Sequence, residues 1–130
     1  MAQTLVTGAV GEAHVKVSSE NTADKMGNAG AMVFATPMLV ALMEQAAIAA
    51  VKPHLAAGEG TVGTKVDIAH LAATPVGMSV RATARLVEIA GKKLVFDVEA
   101  FDDREKVGQG RHERYIINTE AFFGKVAAKK

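Results

Sequence analysis

The sequence predicts an α+β fold in which a curved antiparallel sheet wraps one buried helix. Three observations lead there. Residues 33–53 form one apolar stretch with marked ends. Four runs with a two-residue hydrophobic period follow it, joined mostly by short turns. One more such run precedes it, across a long polar loop.

Thr36 suits a helix N-cap, and Pro37 suits the first helical position, where no backbone donor is needed. Pro53 disfavours helical geometry at Lys52 and marks the end. Nearly every side chain between is apolar, so the helix is buried all round by protein or by lipid. At about 16 residues, interrupted by Glu44, it falls short of a membrane span. Glu44 shares its face with Val40, Ala41, Ala47 and Ile48. A carboxylate there needs a partner, a hydrogen bond or a raised pKa. The plainer alternative puts it at an exposed edge beside Gln45.

The elements follow in order. Residues 11–17 alternate Glu12, His14 and Lys16 with Ala13, Val15 and Val17, a half-buried strand with His14 on its polar side. Residues 18–30 are rich in Ser, Asn and Gly and read as a binding loop or lid that ends near Thr36. In residues 61–71, Val62, Thr64, Val66, Ile68 and His70 share one face, which turns His70 toward the helix. The central Glu44 then offers His70 a partner, and the two make a candidate acid–base pair. Residues 72–77 read as a turn. Residues 78–89, 93–101 and 107–117 give three more strands, with Gly108 and Gly110 marking a bulge or a close approach in the last. Four strands with short connections predict a meander. Asn118 can cap a short helix, followed by a basic tail over residues 125–130. One sheet covers one side of the helix, so a second subunit is expected to cover the other.

Composition narrows the function. The chain has 130 residues, 49% hydrophobic and 22% charged, which suits one domain spanning residues 1–130 with a real core. A net charge of +1 calls for no nucleic-acid or acidic-membrane partner. There is no cysteine, hence no thiolate nucleophile and no disulfide. The start, Met1-Ala2-Gln3-Thr4-Leu5, lacks the pattern of a signal peptide, so a cytoplasmic protein is expected. His14, His54, His70 and His112 show no ligand spacing, and no metal is expected.

Four motifs stand out: Val33-Phe34-Ala35-Thr36 with Leu42-Met43-Glu44; Gly58-Glu59-Gly60-Thr61-Val62-Gly63-Thr64; His70 with Ala72-Ala73-Thr74-Pro75 and Gly77; and Gly108-Gln109-Gly110-Arg111-His112-Glu113-Arg114. Together they resemble those of the fluoroacetyl-CoA thioesterase-like family of hotdog-fold enzymes. They stand in the family's order and cover most of the chain from about Gly11. The resemblance implies a hotdog fold, a homodimer with sites at the subunit interface, and a catalytic threonine, glutamate and histidine at Thr36, Glu44 and His70. It also implies a glycine near the acyl group at Gly63 and an arginine beside the site at Arg114. No cofactor is implied beyond the coenzyme A of the substrate. Where the fluoroacetate-specific enzyme has a phenylalanine-bearing lid, this chain has Met26-Gly27-Asn28-Ala29-Gly30-Ala31. The resemblance therefore carries thioester cleavage rather than fluoroacyl selectivity.

Thioester hydrolysis needs an activated water or a nucleophile, a proton for the leaving thiolate, and donors for the oxyanion. Glu44 fits either general base or nucleophile, His70 a proton relay, and Thr36 a hydrogen-bond donor. Thr36 as an N-cap would instead be structural. Thr36 and Glu44 lie roughly 12 Å apart along a straight helix at about 1.5 Å per residue. At least one site residue is therefore expected from a neighbouring subunit. Arg111, His112 and Arg114 read as solvated strand residues or as contacts to coenzyme A, with His112 and Arg114 on one side and Arg111 on the other. Gly108 and Gly110 then give room for the pantetheine arm. The expected activity is hydrolysis of small acyl-CoA esters. The alternatives are an enoyl-thioester hydratase or dehydratase, and a non-catalytic acyl-CoA-binding protein.

Overall fold

The structure is a computed structural model that describes residues 4–130. The reading of the N-terminal segment rests partly on Met1, Ala2 and Gln3, which lie outside the described residues. The elements run β1 (Val10–Lys16), α1 (Thr36–Val51), a 3-10 turn (Lys52–His54), β2 (Glu59–His70), β3 (Ser79–Ala90), β4 (Lys93–Phe101), β5 (Lys106–Asn118) and α2 (Thr119–Ala127). Each strand lies within two residues of its expected place, because a two-residue period survives even in short runs. The α-helix ends at Val51 with Lys52 as its C-cap, as Pro53 led one to expect. Pro53 itself sits inside the following 3-10 turn, where its missing N–H costs nothing.

All five strands form one antiparallel sheet in the order β1-β3-β4-β5-β2. This corrects the expected four-strand meander. Only β3, β4 and β5 are consecutive neighbours, and β2 lies at the far edge beside β5. Three strand spacings of about 4.8 Å separate β2 from β3, and the residues expected as a tight turn reach about 20 Å when extended. Residues 72–77 are thus a crossover. It is pinned by a Val33–Pro75 bridge and by a 2.8 Å hydrogen bond from Thr74 to Asp102 beyond β4.

The sheet buries one side of α1. Leu39, Leu42, Met43, Ala46, Ala47, Ala50 and Val51 are enclosed, and with Val80, Leu86, Leu94, Phe96 and Val98 they make the core. Truncating such a leucine to alanine costs about 2–5 kcal/mol. Small residues let the backbones meet. A Cβ at Gly11 would collide with the helix backbone at Ala46 and Ala50. The opposite stripe of α1 is less covered: Val40 and Glu44 are half-buried and Ile48 is 39% exposed.

Gly108 and Gly110 serve the same packing. A Cβ at Gly108 would lie 3.0 Å from Leu39 Cδ2 and 3.1 Å from Met43 Cε, while one at Gly110 would lie 2.6 Å from the Cα of Ile68. They let α1 and β2 approach β5, so the room expected for a pantetheine arm is filled by protein. Asn118 caps α2 by accepting from the Ala121 N–H at 2.9 Å. The helix continues to Ala127, into what was expected as a basic tail.

Candidate active site

A bulge in β2 arranges the site. The pairing with β5 slips between Gly63 and Lys65, leaving Thr64 as the extra residue. Gly63 pairs with Arg114 and Val66 with His112. Partners directly opposite share a sheet face. Thr61 and Gly63 before the bulge and Val66, Ile68 and His70 after it therefore all face the helix. The expected single face of Val62, Thr64, Val66, Ile68 and His70 is right only from Val66 onward, because strict alternation cannot register an inserted residue.

The first cluster joins the start of α1 to the end of β2. Thr36 Oγ1 and His70 Nδ1 are 2.7 Å apart. Thr36 is not the N-cap. That position belongs to Ala35, whose extended backbone is held by a 2.9 Å bond from its N–H to the Asn21 carbonyl. The hydroxyl is thereby free of capping and meets the histidine. Burial pushes the pKa of His70 down, which favours the neutral ring. His70 Nε2 is buried and has no hydrogen-bond partner. Thr36 and His70 also line a cavity of about 320 Å³ with Phe34, Leu71 and Asn28 of the polar loop. The loop does reach the neighbourhood of Thr36.

The second cluster lies two turns along α1. Arg114 Nη1 donates to Glu44 Oε2 at 3.2 Å. Its other groups are fixed by Thr61: Nε donates to the hydroxyl at 2.8 Å and Nη2 to the carbonyl at 3.0 Å. Arg114 is 4% exposed and His112 1%, so neither is the solvated strand residue expected as one reading. His112 Nε2 lies 3.9 Å from Glu44 Oε2. Gly63 closes the group, since a Cβ there would strike Glu44 Oε2 and sit 3.2 Å from Arg114 Nη1. Arg111, across the strand, is exposed and pairs with Asp97 at 3.0 Å.

The five expected site residues therefore gather as two groups, Thr36 with His70 and Glu44 with Gly63 and Arg114. The expected Glu44–His70 pair is not formed within the chain, because β2 places Gly63, not His70, opposite Glu44. Sequence reasoning missed Thr61 and the buried place of His112. The signal for His112 was its alternation with Arg114; nothing marked Thr61 without the bulge. A larger hollow of about 660 Å³ lies on the outer sheet face among Thr83, Arg85, Asp97 and Arg111 and shares no residue with either group. Among the described residues, no three His, Asp or Glu side chains converge as a metal site.

Comparison with known proteins identifies the family. A family model for the fluoroacetyl-CoA-specific thioesterase, FlK, matches residues 17–120. The chain is 44% identical to the fluoroacetyl-CoA thioesterase of Streptantibioticus cattleyicolor over 97 residues, 75% of this chain and 70% of that one. The chain belongs to the FlK family. The solved structure of the fluoroacetyl-CoA thioesterase FlK superposes with a TM-score of 0.88 at 34% identity, covering 97% of this chain and 98% of that one. A Thermus thermophilus hypothetical protein of the thioesterase superfamily superposes at 0.86 with 29% identity, over 95% and 94% of the two chains. The hotdog fold expected from the motifs is thus the fold of this FlK-family chain. No helix among its described residues is long and apolar enough to cross a membrane.

Proposed function

We propose that this chain is an acyl-CoA thioesterase that hydrolyses small acyl thioesters, using Thr36, Glu44 and His70 at a site completed by a second copy of the chain. Membership of the FlK family carries the activity. The observation that supports the site is the division into two groups too far apart on one helix to act on one carbonyl. A homodimer that lays the open stripe of Val40, Glu44 and Ile48 against its partner would bring Glu44 of one subunit toward Thr36 and His70 of the other. Acyl-CoA is then the substrate and coenzyme A the released thiol. The proposal keeps the cytoplasmic location expected from the sequence.

Each group has a role. Glu44 supplies the carboxylate, attacking the carbonyl carbon directly or deprotonating a water that does. Arg114 binds Oε2 and holds the carboxylate in place. At the helix start, the Met38 and Leu39 N–H groups both go to the Ala35 carbonyl and proline has none, so Thr36 N–H and its hydroxyl are the donors left for the oxyanion. His70, neutral and hydrogen-bonded to Thr36 through Nδ1, takes up at Nε2 the proton that Glu44 removes from water and passes it to the thiolate as the C–S bond breaks. Water adds across the thioester, giving a carboxylic acid and a free thiol.

The test is thiol release from a panel of short acyl-CoA esters. The chain has no cysteine, so a thiol-reactive dye sees only coenzyme A. Native protein is expected to release thiol, and Glu44→Gln, still folded, to lose about 100-fold or more of that rate, the scale of general-base catalysis. Hydration of an enoyl ester without thiol release, or binding without turnover, would replace this reading.

A further inference from the structure

His112 takes no part in the chemistry proposed above, yet it is a fully enclosed titratable side chain beside that site. Its ring stacks on Phe96, with centroids 6.1 Å apart. Its two nitrogens have partners whose roles are not interchangeable. Nδ1 is 2.8 Å from the Lys65 carbonyl oxygen, which can only accept, so the proton sits on Nδ1. Nε2 is 3.2 Å from Arg114 Nη1, which can only donate. A proton on Nε2 would set two donors against each other.

We propose that His112 is a positioning residue for the Glu44 carboxylate: a neutral imidazole, protonated on Nδ1, whose bare Nε2 holds Arg114 Nη1 against Glu44. Arg114 has two N–H groups on Nη1, one for Glu44 and one for His112. Thr61 fixes the other edge of the guanidinium, and His112 fixes the edge that faces the reaction. The charges facing His112 are consistent: Glu44 from α1, Arg114 and Glu113 from its own strand, a backbone carbonyl from β2 and an uncharged ring from β4. Burial, with the Arg114 charge helping, keeps its pKa low, against the Lys65 hydrogen bond and the pull of Glu44 and Glu113.

The inference rests on the thioesterase reading for its kinetic consequence but not for its tautomer. The experiment therefore has two readouts. In the full chain with ¹⁵N-labelled histidine, the His112 signals, assigned by their loss in His112→Gln, are expected to show Nδ1 protonated and Nε2 bare at neutral pH. A protonated Nε2 or a charged ring overturns the proposal. In the thioester assay, His112→Gln keeps an acceptor for Arg114 and is expected to retain most of kcat. His112→Phe keeps the ring stacking but has no acceptor, and is expected to lose about 10–100-fold in kcat with KM little changed, the cost of a misplaced reacting group. A purely packing role predicts the reverse order, and that result overturns the proposal. If native protein releases no thiol, the thioesterase reading falls and the tautomer alone decides for His112.

Discussion

Glu44 and Gly63 depend on each other. The carboxylate occupies the space where any side chain at position 63 would begin. Gly63→Ala should therefore displace Glu44 or Arg114 while leaving the chain folded, because position 63 lies on an exposed edge strand. Its expected signature is a fall in thiol-release kcat of about 10–100-fold in a chain that still folds. Glu44 itself was visible in the sequence as a lone charge in an apolar helix. Its partner was not, because Arg114 is 70 residues away and the pairing follows from strand order rather than local pattern. Thr36 was likewise visible as a helix-start residue, but its role was hidden. Whether it caps or binds depends on how the polar loop holds Ala35, and periodicity says nothing of that.

Periodicity carried the elements. The strands stood out because their apolar residues alternate at the spacing of an extended backbone, and the helix because nearly all of its side chains are apolar. Two features escaped for one reason: neither changes the residue pattern. The bulge at Thr64 inserts a residue into a polar stretch, and the link 72–77 has turn-like composition whether it turns tightly or spans the sheet. Asp102 is what holds that span. Its Oδ1 accepts from the Arg104 and Glu105 N–H groups at 2.8 and 2.9 Å, and its Oδ2 from Thr74 at 2.8 Å. Partial burial works to raise its pKa, but these bonds and the Arg104 charge outweigh it and leave the pKa below the ordinary value. A depressed folded-state pKa contributes stability above the ordinary carboxylate pKa and loses it as pH falls through the lower folded value. Asp102→Ala should cost about 1 kcal/mol or more at neutral pH, the scale of a lost hydrogen bond to a charge. It should also flatten the fall of melting temperature on acidification below about pH 4. An unchanged acid profile would assign the crossover to other contacts.

At the scale of the whole molecule, the chain leaves a half-covered helix stripe and two incomplete groups of site residues on the same helix. The proposed two-fold pair would answer both, since the stripe it would cover contains Glu44. The expectation of a second subunit came from the apolarity of the helix. The sequence could not show which residues would meet across the pair. The most direct measurement of this central claim is complementation between two inactive chains. Thr36→Ala and Glu44→Gln proteins, differently tagged and co-expressed, are purified as mixed dimers and assayed for thiol release. If each site takes Thr36 and His70 from one subunit and Glu44 from the other, one site of the mixed dimer has every group and the other lacks both. Activity should then return to about half of native, where each parent alone has little. A mixed dimer no more active than its parents would contradict a site shared between subunits.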